Sequence, residues 1–404
     1  MRLSSANTYD NALQNLYTRQ SDLASQQEKL TSGKNVNRAS DDPTGAAQAE
    51  RDLTRMTRVA TDQRALGVQS NSITLAESAL GDATDLMQSL RELVVSAGNG
   101  SYKATDRATI AQQMTGLRDQ LFAVANRADS NGSPLFGGLG SASVPFTDAT
   151  TGVSFNGVGG QRASTEVTVP GAMDGQAIWM SVPTGNGSFN VALPAAPAAL
   201  NTGSVWTDTG QVVSPAALTG HNYSVEFSVA AGVTSYNVFD ATSAPSPAGP
   251  AILAAQPYVA GQAIQFDGMS FVANGAPANG DVVQISPSTK TNVFKVLDDA
   301  IAGIKSGTPA DNNQTIPLAL TQIDASMNQI QSARGQAGEW LNRADNITSS
   351  QQGRTIQLTV DKSRAEDLDM VKGISDFQKL QTGYQAALQS YAQVQKLSLF
   401  NYIS

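Results

Sequence analysis

Near the start of this chain, apolar side chains return every seventh position at Tyr9, Leu16, Leu23 and Leu30. Leu13, Gln20 and Gln27 follow four residues behind the first three. An a/d-type stripe with a partly polar second seam predicts a helix that needs a partner helix. A longer stripe follows: Leu66, Ile73, Leu80, Met87 and Val94 keep the same spacing across a helix placed from Pro43 to near Ala97. The glycines of "AGNGSYKATD" break it, and Thr105 or Asp106 is the expected cap of the next helix. There Ile110, Met114, Leu117, Leu121, Val124 and Ala128 step by four and three.

Between the first two helices lies "LTSGKNVNRASDDPTGAAQAE", residues 30–50. Gly33 offers the left-handed C-cap conformation that residues with a Cβ resist. Asp42-Pro43 then reopens a helix. Proline suits the first helical position, where its missing N–H would be unpaired anyway, and it pushes the residue before it into the extended region an N-cap needs. Asp41 and Asp42 also bring negative charge to the positive end of the new helix dipole. The two acids read as caps, with Asp42 and Pro43 as the helix start, rather than as a metal or acid/base pair.

Past "ADSNGSPLFGGLGS" the helical pattern stops, and from Arg127 to Lys290 the only Lys or Arg is Arg162. Alternating runs take over at Phe189, Val191 and Leu193, at Tyr223, Val225, Phe227 and Val229, and at Ile264 and Phe266. These predict half-buried strands separated by Gly/Pro/Asn turns, with a local linker at "ATSAPSPAGPA". The topology of residues 141–215 stays open. Helical spacing resumes at Phe294, Leu297, Ile301 and Ile304, and then at Ile323, Met327, Ile330, Ala337, Leu341 and Ala344. A last stripe holds Phe377, Leu380, Tyr384, Ala387, Tyr391 and Val394, with Leu388 and Leu397 counted beside it.

The predicted fold is therefore α+β: a long antiparallel, coiled-coil-like helical bundle formed by both termini, with an inserted β-rich head. The expected parts are a terminal assembly helix over 1–40, rod segments over 41–135 and 290–362, the head over 136–289, and a second assembly helix over 363–404. Each fully buried Leu-sized side chain stabilises by about 1.5–3 kcal/mol. Terminal seams that one chain cannot cover thus point to packing between molecules, and they are expected to be poorly buried in an isolated chain.

Composition acts mainly by exclusion. The 404 residues carry a net charge of −8 and no basic run, so nucleic acid is not an expected partner. Cysteine is absent, which removes disulfides, thiolate metal sites and cysteine nucleophiles. His221 is the only histidine, which argues against a histidine base or a multi-histidine metal site. No apolar run of signal-peptide or bilayer-spanning length occurs, a pattern that ordinarily reads as cytoplasmic. Hydrolase, phosphate-loop and zinc-protease motifs are missing. "GVGGQR" at 157–162 opens no helix, Asp298-Asp299 is expected on a solvated helix face, and Glu366-Asp367-Asp369 is expected as a helix start. Trp179, Trp206 and Trp340 read as packing residues and His221 as a surface or turn residue. No catalytic residue, cofactor, metal, membrane or small-molecule substrate is expected.

The corner sequence "LTSGKNVNRASDDPTGAAQA" resembles the motif after the first helix of the bacterial flagellin superfamily, which also places long helices at both ends and a variable β region between them. "MRLS", "AGNGSYKATDRATIAQQMTGLRDQLFAVANRADSNGSPLFGG", "ANGDVVQISPS" and "YQAALQSYAQVQKLSLFNYIS" are similar to those members of the superfamily that sit between hook and filament. The filament subunit itself, flagellin, is the alternative, although it usually begins with a longer polar lead and does not end in "SLFNYI". An enzyme or carbohydrate-binding module on the β region is a third reading, supported only by two tryptophans and a stretch that resembles nothing assigned. The resemblance implies a structural role in the extracellular flagellum, reached by type III export without a cleaved signal peptide. It implies a neighbouring hook-associated junction protein, flagellin, other copies of the same chain in a ring, and an export chaperone as partners. The assembly residues it points to are Tyr9, Leu13, Leu16, Leu23, Leu30, Phe377, Leu380, Tyr384, Leu388, Tyr391, Val394 and Leu397.

Overall fold

The long helices lie where the seven-residue spacing places them: α1 (Ser5–Ser32), α2 (Pro43–Ala97) and α3 (Ala104–Ala125). The structure is a computed structural model. It describes residues 5–140, 142–194, 201–243, 250–306 and 309–403, with the backbone alone for 5–9, 306, 309–311 and 394–403. On α2, Leu66, Ile73, Leu80, Met87 and Val94 are each at most 2 % exposed. The start of α3 differs from the expected Thr105 or Asp106 cap. Lys103 holds the extended N-cap position, and Asp106 at the third helical residue accepts its N–H at 2.9 Å. The other end also comes early. Asn126 exchanges hydrogen bonds with the backbone of Phe146, at 2.9 and 3.0 Å, so the helix stops at Ala125 and Ala128 is left exposed outside it.

The middle begins with a hairpin of β1 (Phe146–Ala149) and β2 (Gly152–Phe155), a short α4 (Gly175–Trp179) and β3 (Val182–Pro183). There follow β4 (Phe189–Ala192), β5 (Trp206–Thr207), β6 (Gln211–Val212), β7 (Tyr223–Ala230), β8 (Val233–Asp240) and β9 (Leu253–Pro257). Then come β10 (Ala263–Phe266), β11 (Met269–Asn274), β12 (Val282–Pro287) and β13 (Lys290–Thr291). Five of them form an antiparallel sheet in the order β4-β12-β7-β8-β9, and β10-β11-β5, with β6 on β11, forms another. The β10–β11 hairpin turns through Asp267-Gly268, both at positive φ, the dipeptide and geometry of a type I′ turn. Of "ATSAPSPAGPA", residues 244–249 lie outside the described residues. The chain returns through α5 (Val293–Ser306), α6 (Pro309–Glu366) and α7 (Met370–Ile403).

Backbone contacts divide the chain into two units, residues 1–65 with 346–404 and residues 66–345. The expected break at 40/41 sits at the corner before α2, whereas 362/363 falls inside α6, one turn before its end at Glu366. The contacts change elsewhere, inside the continuous helices α2 and α6, where their buried stripe thins out.

The central unit, 66–345, has two hydrophobic clusters. One joins α2, α3, α5 and α6, burying Phe294, Leu297, Ile304, Ile323, Ile330, Ala337 and Trp340, with Ile301, Met327 and Leu341 half-buried against it. The other lies between the apolar faces of the two sheets, from Phe189 to Ile285. This corrects the expected head boundary at 136. Phe136, Phe146, Met173, Ile178 and Trp179 belong to the helical cluster, Trp179 stacking 6.2 Å from Phe294 and meeting Phe136 edge-on at 5.6 Å. Residues 135–182 have too few large apolar side chains to form a core alone, so they bury them on the helices.

Candidate functional site

The corner after α1 meets the corner before α7 within the terminal unit. Gly33 adopts φ +69, as a left-handed C-cap requires. Its carbonyl then accepts the Leu368 N–H at 2.9 Å, while Asn35 and Val36 donate to the Glu366 carbonyl at 2.7 and 3.2 Å. Lys34 and Lys362 both reach the Glu366 carboxylate at 3.1 Å. Burial raises the pKa of that carboxyl, but the two lysines outweigh it and hold it below the usual range. The corner is thus a short backbone ladder locked by one half-buried ion cluster.

Asp42 and Pro43 start α2 as expected. The Asp42 Oδ1 accepts the N–H groups of Thr44 and Gly45 at 2.9 and 3.0 Å and the Thr44 hydroxyl at 2.7 Å. These bonds, Gly45 first, lower the pKa of its carboxyl. Asp41 has a different role from the dipole charge expected of it: it accepts from Arg38 N and Asn37 N at 2.9 and 3.1 Å and so folds the loop. Sequence reasoning missed Gly45. A Cβ there would lie 2.9 Å from the Ala365 carbonyl, so glycine lets the start of α2 approach the end of α6. Of Glu366-Asp367-Asp369, only Asp369 starts a helix, accepting from Val371 N and Lys372 N. Glu366 closes α6, and Asp367 accepts the Ser363 hydroxyl.

Along the terminal helices, α1 packs on α7. Leu13, Leu16, Leu23 and Leu30 on one, and Phe377, Leu380, Tyr384 and Tyr391 on the other, are all half-buried; Leu388 is exposed. The side chains of Tyr9, Val394 and Leu397 lie outside the described residues. The partner that the stripe on α1 demanded is therefore, in part, the other end of the same chain. Gln26 on α1 also donates to the Gly373 carbonyl on α7 at 3.0 Å. Among the described residues, neither hydrophobic cluster includes one from 1–65 or 346–404. The fully buried large side chains, from Trp179 to Leu90, all lie in 66–345. Solvent-facing apolar residues remain instead, among them Tyr17, Ile356, Val371 and Ile374.

The remaining chemistry is structural. Asp298, expected on a solvated face, holds the buried Arg118 with two bonds at 3.0 and 3.2 Å. Asp148 of the β1–β2 hairpin takes the same guanidinium from the other side, so one cation ties α3, α5 and the hairpin. Asp299 pairs with Lys295 at 2.9 Å. Trp179 and Trp340 are buried and Trp206 is half-buried. His221 is exposed, with Nδ1 2.7 Å from Asp240. Tyr223 hydrogen-bonds Asp267 at 2.6 Å, and burial together with that carboxylate pushes its pKa up to about 12. Among the described residues, no group of three metal-ligating side chains comes together, and no helix is long and apolar enough to cross a membrane.

The terminal architecture has known counterparts. A family model described as the bacterial flagellin N-terminal helical region matches residues 3–141, and one described as the C-terminal helical region matches residues 320–403. The chain is 25% identical to flagellar hook-associated protein 3 of Salmonella typhimurium over 99% of both chains. It is 36% identical to the flagellin of Bacillus subtilis, but over 32% of this chain and 43% of that one. Two crystal structures from Legionella pneumophila share the fold. A flagellar hook associated protein-3 has a TM-score of 0.71 at 28% identity, covering 78% of this chain and 98% of that one. A flagellar junction protein, FlgL, has a TM-score of 0.66 at 29% identity, covering 74% and 99%.

Proposed function

The chain belongs to the bacterial flagellin family, and from that premise we propose that it is the structural adaptor that joins the flagellar hook to the flagellin filament. The observation that carries this reading is the thin core of the terminal unit, where Val36, Ala49, Val59 and Ile347 are buried but no large side chain is fully enclosed among the described residues. Helices α1 and α7 cover each other only by halves, and apolar surface left in water is association energy still to be used. Likeness over the whole length to a hook-associated protein, against likeness to a flagellin over a third of the chain, favours the adaptor over the filament subunit.

In this reading the seam from Tyr9 to Leu30 and from Phe377 to Leu397 completes its burial against other subunits. Copies of the chain form a ring, seated between a neighbouring hook-associated junction protein and flagellin. The chain leaves the cell unfolded without a cleaved signal peptide, accompanied before export by a chaperone, and it catalyses no reaction. A strain lacking the protein should build hooks and shed flagellin monomers into the medium, because the filament has no seat. Normal filaments on the deletion strain overturn the adaptor role. Complementation with Leu380→Asp plus Tyr391→Asp should leave the central unit folded and abolish incorporation at the hook tip. Wild-type incorporation of that variant places assembly on another surface.

A further inference from the structure

Two features of the central unit lack an intramolecular use, and they fit each other. The first is a groove between α2 and α3. Two hollows of about 610 and 530 Å³ share Ser89 and Gln120, with Leu86, Leu93 and Leu117 on an apolar floor and the exposed Asp85 and Glu92 at the rim. Gly116 lines this groove from within α3, where glycine weakens a helix relative to alanine. A Cβ added at Gly116 would meet nothing within 4 Å, so no contact inside the chain excludes a side chain there. Gly67, Gly335, Gly338 and Gly353 are equally unobstructed, and Gly116 is the one that lines this groove. Its missing side chain keeps the groove open for something from outside.

The second feature is a rigid knob. Leu139 and Val158 are 51% and 56% exposed, yet their backbones are bonded, Leu139 N donating to Val158 O at 2.9 Å. Beside them Gly138 N donates to Met173 O at 3.0 Å and Gly160 N to Asp174 at 2.7 Å. A Cβ at Gly138 would lie 2.3 Å from the Val158 carbonyl, so the loop is clamped more closely than any side chain permits. Two aliphatic side chains are thus held in water on a preorganised backbone, which reduces the ordering cost of binding. Arg162, two positions past Gly160, is exposed and makes no ion pair among the described residues.

We propose that the Leu139–Val158 knob of one copy of this chain seats in the α2–α3 groove of the next copy, with Arg162 against Asp85 and Glu92. The rim also carries Arg127, but Asp82 neutralises it at 2.7 Å, leaving Asp85 and Glu92 as the acids in excess. The occupant is a second copy because an apolar knob meets an apolar floor, and Arg162, the one Lys or Arg between Arg127 and Lys290, meets those two acids. The two patches differ, so the contact is heterologous and repeats from subunit to subunit, closing into a ring when the rotation allows. This inference rests on the reading of the chain as a ring-forming junction subunit.

The absence of native cysteine makes the test direct. The full-length Leu139→Cys/Gly116→Cys variant, assembled on hooks and oxidised, should yield disulfide-linked dimers, trimers and longer ladders, and neither single variant should. Assembled, motile flagella without a ladder overturn the proposal, as does a bridge within one chain or a Gly116→Cys link to a different protein. If the double variant fails to assemble, charge reversal decides. Arg162→Glu should reduce incorporation, and Glu92→Arg in the same chain should restore it. Loss without restoration, or no loss, overturns the contact. Filaments on the deletion strain report separately on the adaptor reading.

Discussion

Helix α2 is one unbroken element, yet its two halves have different surroundings. From Ile73 to Ala97, every third or fourth residue is buried, with Ile73, Leu80, Met87, Leu90 and Val94 fully enclosed. From Pro43 to Ala65 only Ala49, Asp52 and Val59 reach burial, and one of those is an acid. Helix α6 repeats the contrast, with Ile323, Ile330 and Ala337 enclosed before residue 346 and Ile356 at 66% exposure after it. Neither half is more helical than the other. The difference lies in what the chain supplies to cover the stripe: a layered core in the central unit, and two terminal helices in the other. A helix stabilised by tertiary packing stands alone, whereas one covered by halves depends on neighbours.

The largest expected effect compares one substitution in the two settings. Leu90→Ala deletes a side chain that is 0% exposed in the central core and should cost about 2–5 kcal/mol, with a cavity left behind. Leu16→Ala removes a half-buried side chain from the terminal seam and should cost the isolated chain no more than about 1 kcal/mol. In cells the order should invert in kind, Leu16→Ala impairing incorporation at the hook tip while the purified protein melts almost normally. Denaturant melts beside hook-tip labelling test this. Equal losses at both sites would mean that the terminal seam is ordinary core.

Much of that contrast is legible in the sequence, but only in part. The stripe Leu66 to Val94 is readable because one seam repeats at the same spacing through four heptads. Alternation exposes the strands at Phe189, Tyr223 and Ile264 in the same way. Residues 135–182 carry no readable period, because β1, β2 and α4 are only four or five residues long and Phe136, Phe146 and Trp179 are placed by what they bury against. The Asp42 cap is local and could be read. The ladder from Gly33 to Leu368, and the Gly45 approach to Ala365, join segments more than 300 residues apart, and no local pattern announces them. Asp298 keeps 45% of its side-chain surface, in keeping with a solvated face, but its tie to Arg118 on another helix leaves no local trace either.

A smaller effect should come from that Arg118 cluster, the central unit's counterpart to the Lys34–Glu366–Lys362 cluster of the terminal unit. Arg118→Met keeps the apolar stem but removes the bonds to Asp298 and Asp148. Asp298 and Asp148 keep 45% and 35% of their side-chain surface, so water can take over part of the loss. The expected cost is about 1–3 kcal/mol, the range for hydrogen bonds to charged groups. It should appear in the melt of the central unit and leave exchange rates at the Gly33–Asp42 corner unchanged. A change at that corner would show that the two units are energetically coupled.

The smallest effect probes the terminal unit at the start of α2. Asp42 caps α2 through the N–H groups of Thr44 and Gly45, and those bonds favour the ionised carboxylate, holding its pKa below the ordinary 3.8. The sign follows from linkage. A group whose pKa is depressed by folding binds fewer protons folded than unfolded, so its contribution is present above the unfolded pKa and is lost as pH falls through the folded one. Asp42→Ala should therefore speed hydrogen exchange in the first turn of α2 at neutral pH, with little change in the global melt. The gap between variant and wild type should close once the pH drops below the folded pKa of Asp42. A gap that persists under acid, or that never opens, would show that Pro43 and the Gly33–Glu366 ladder fix the helix start without the carboxylate.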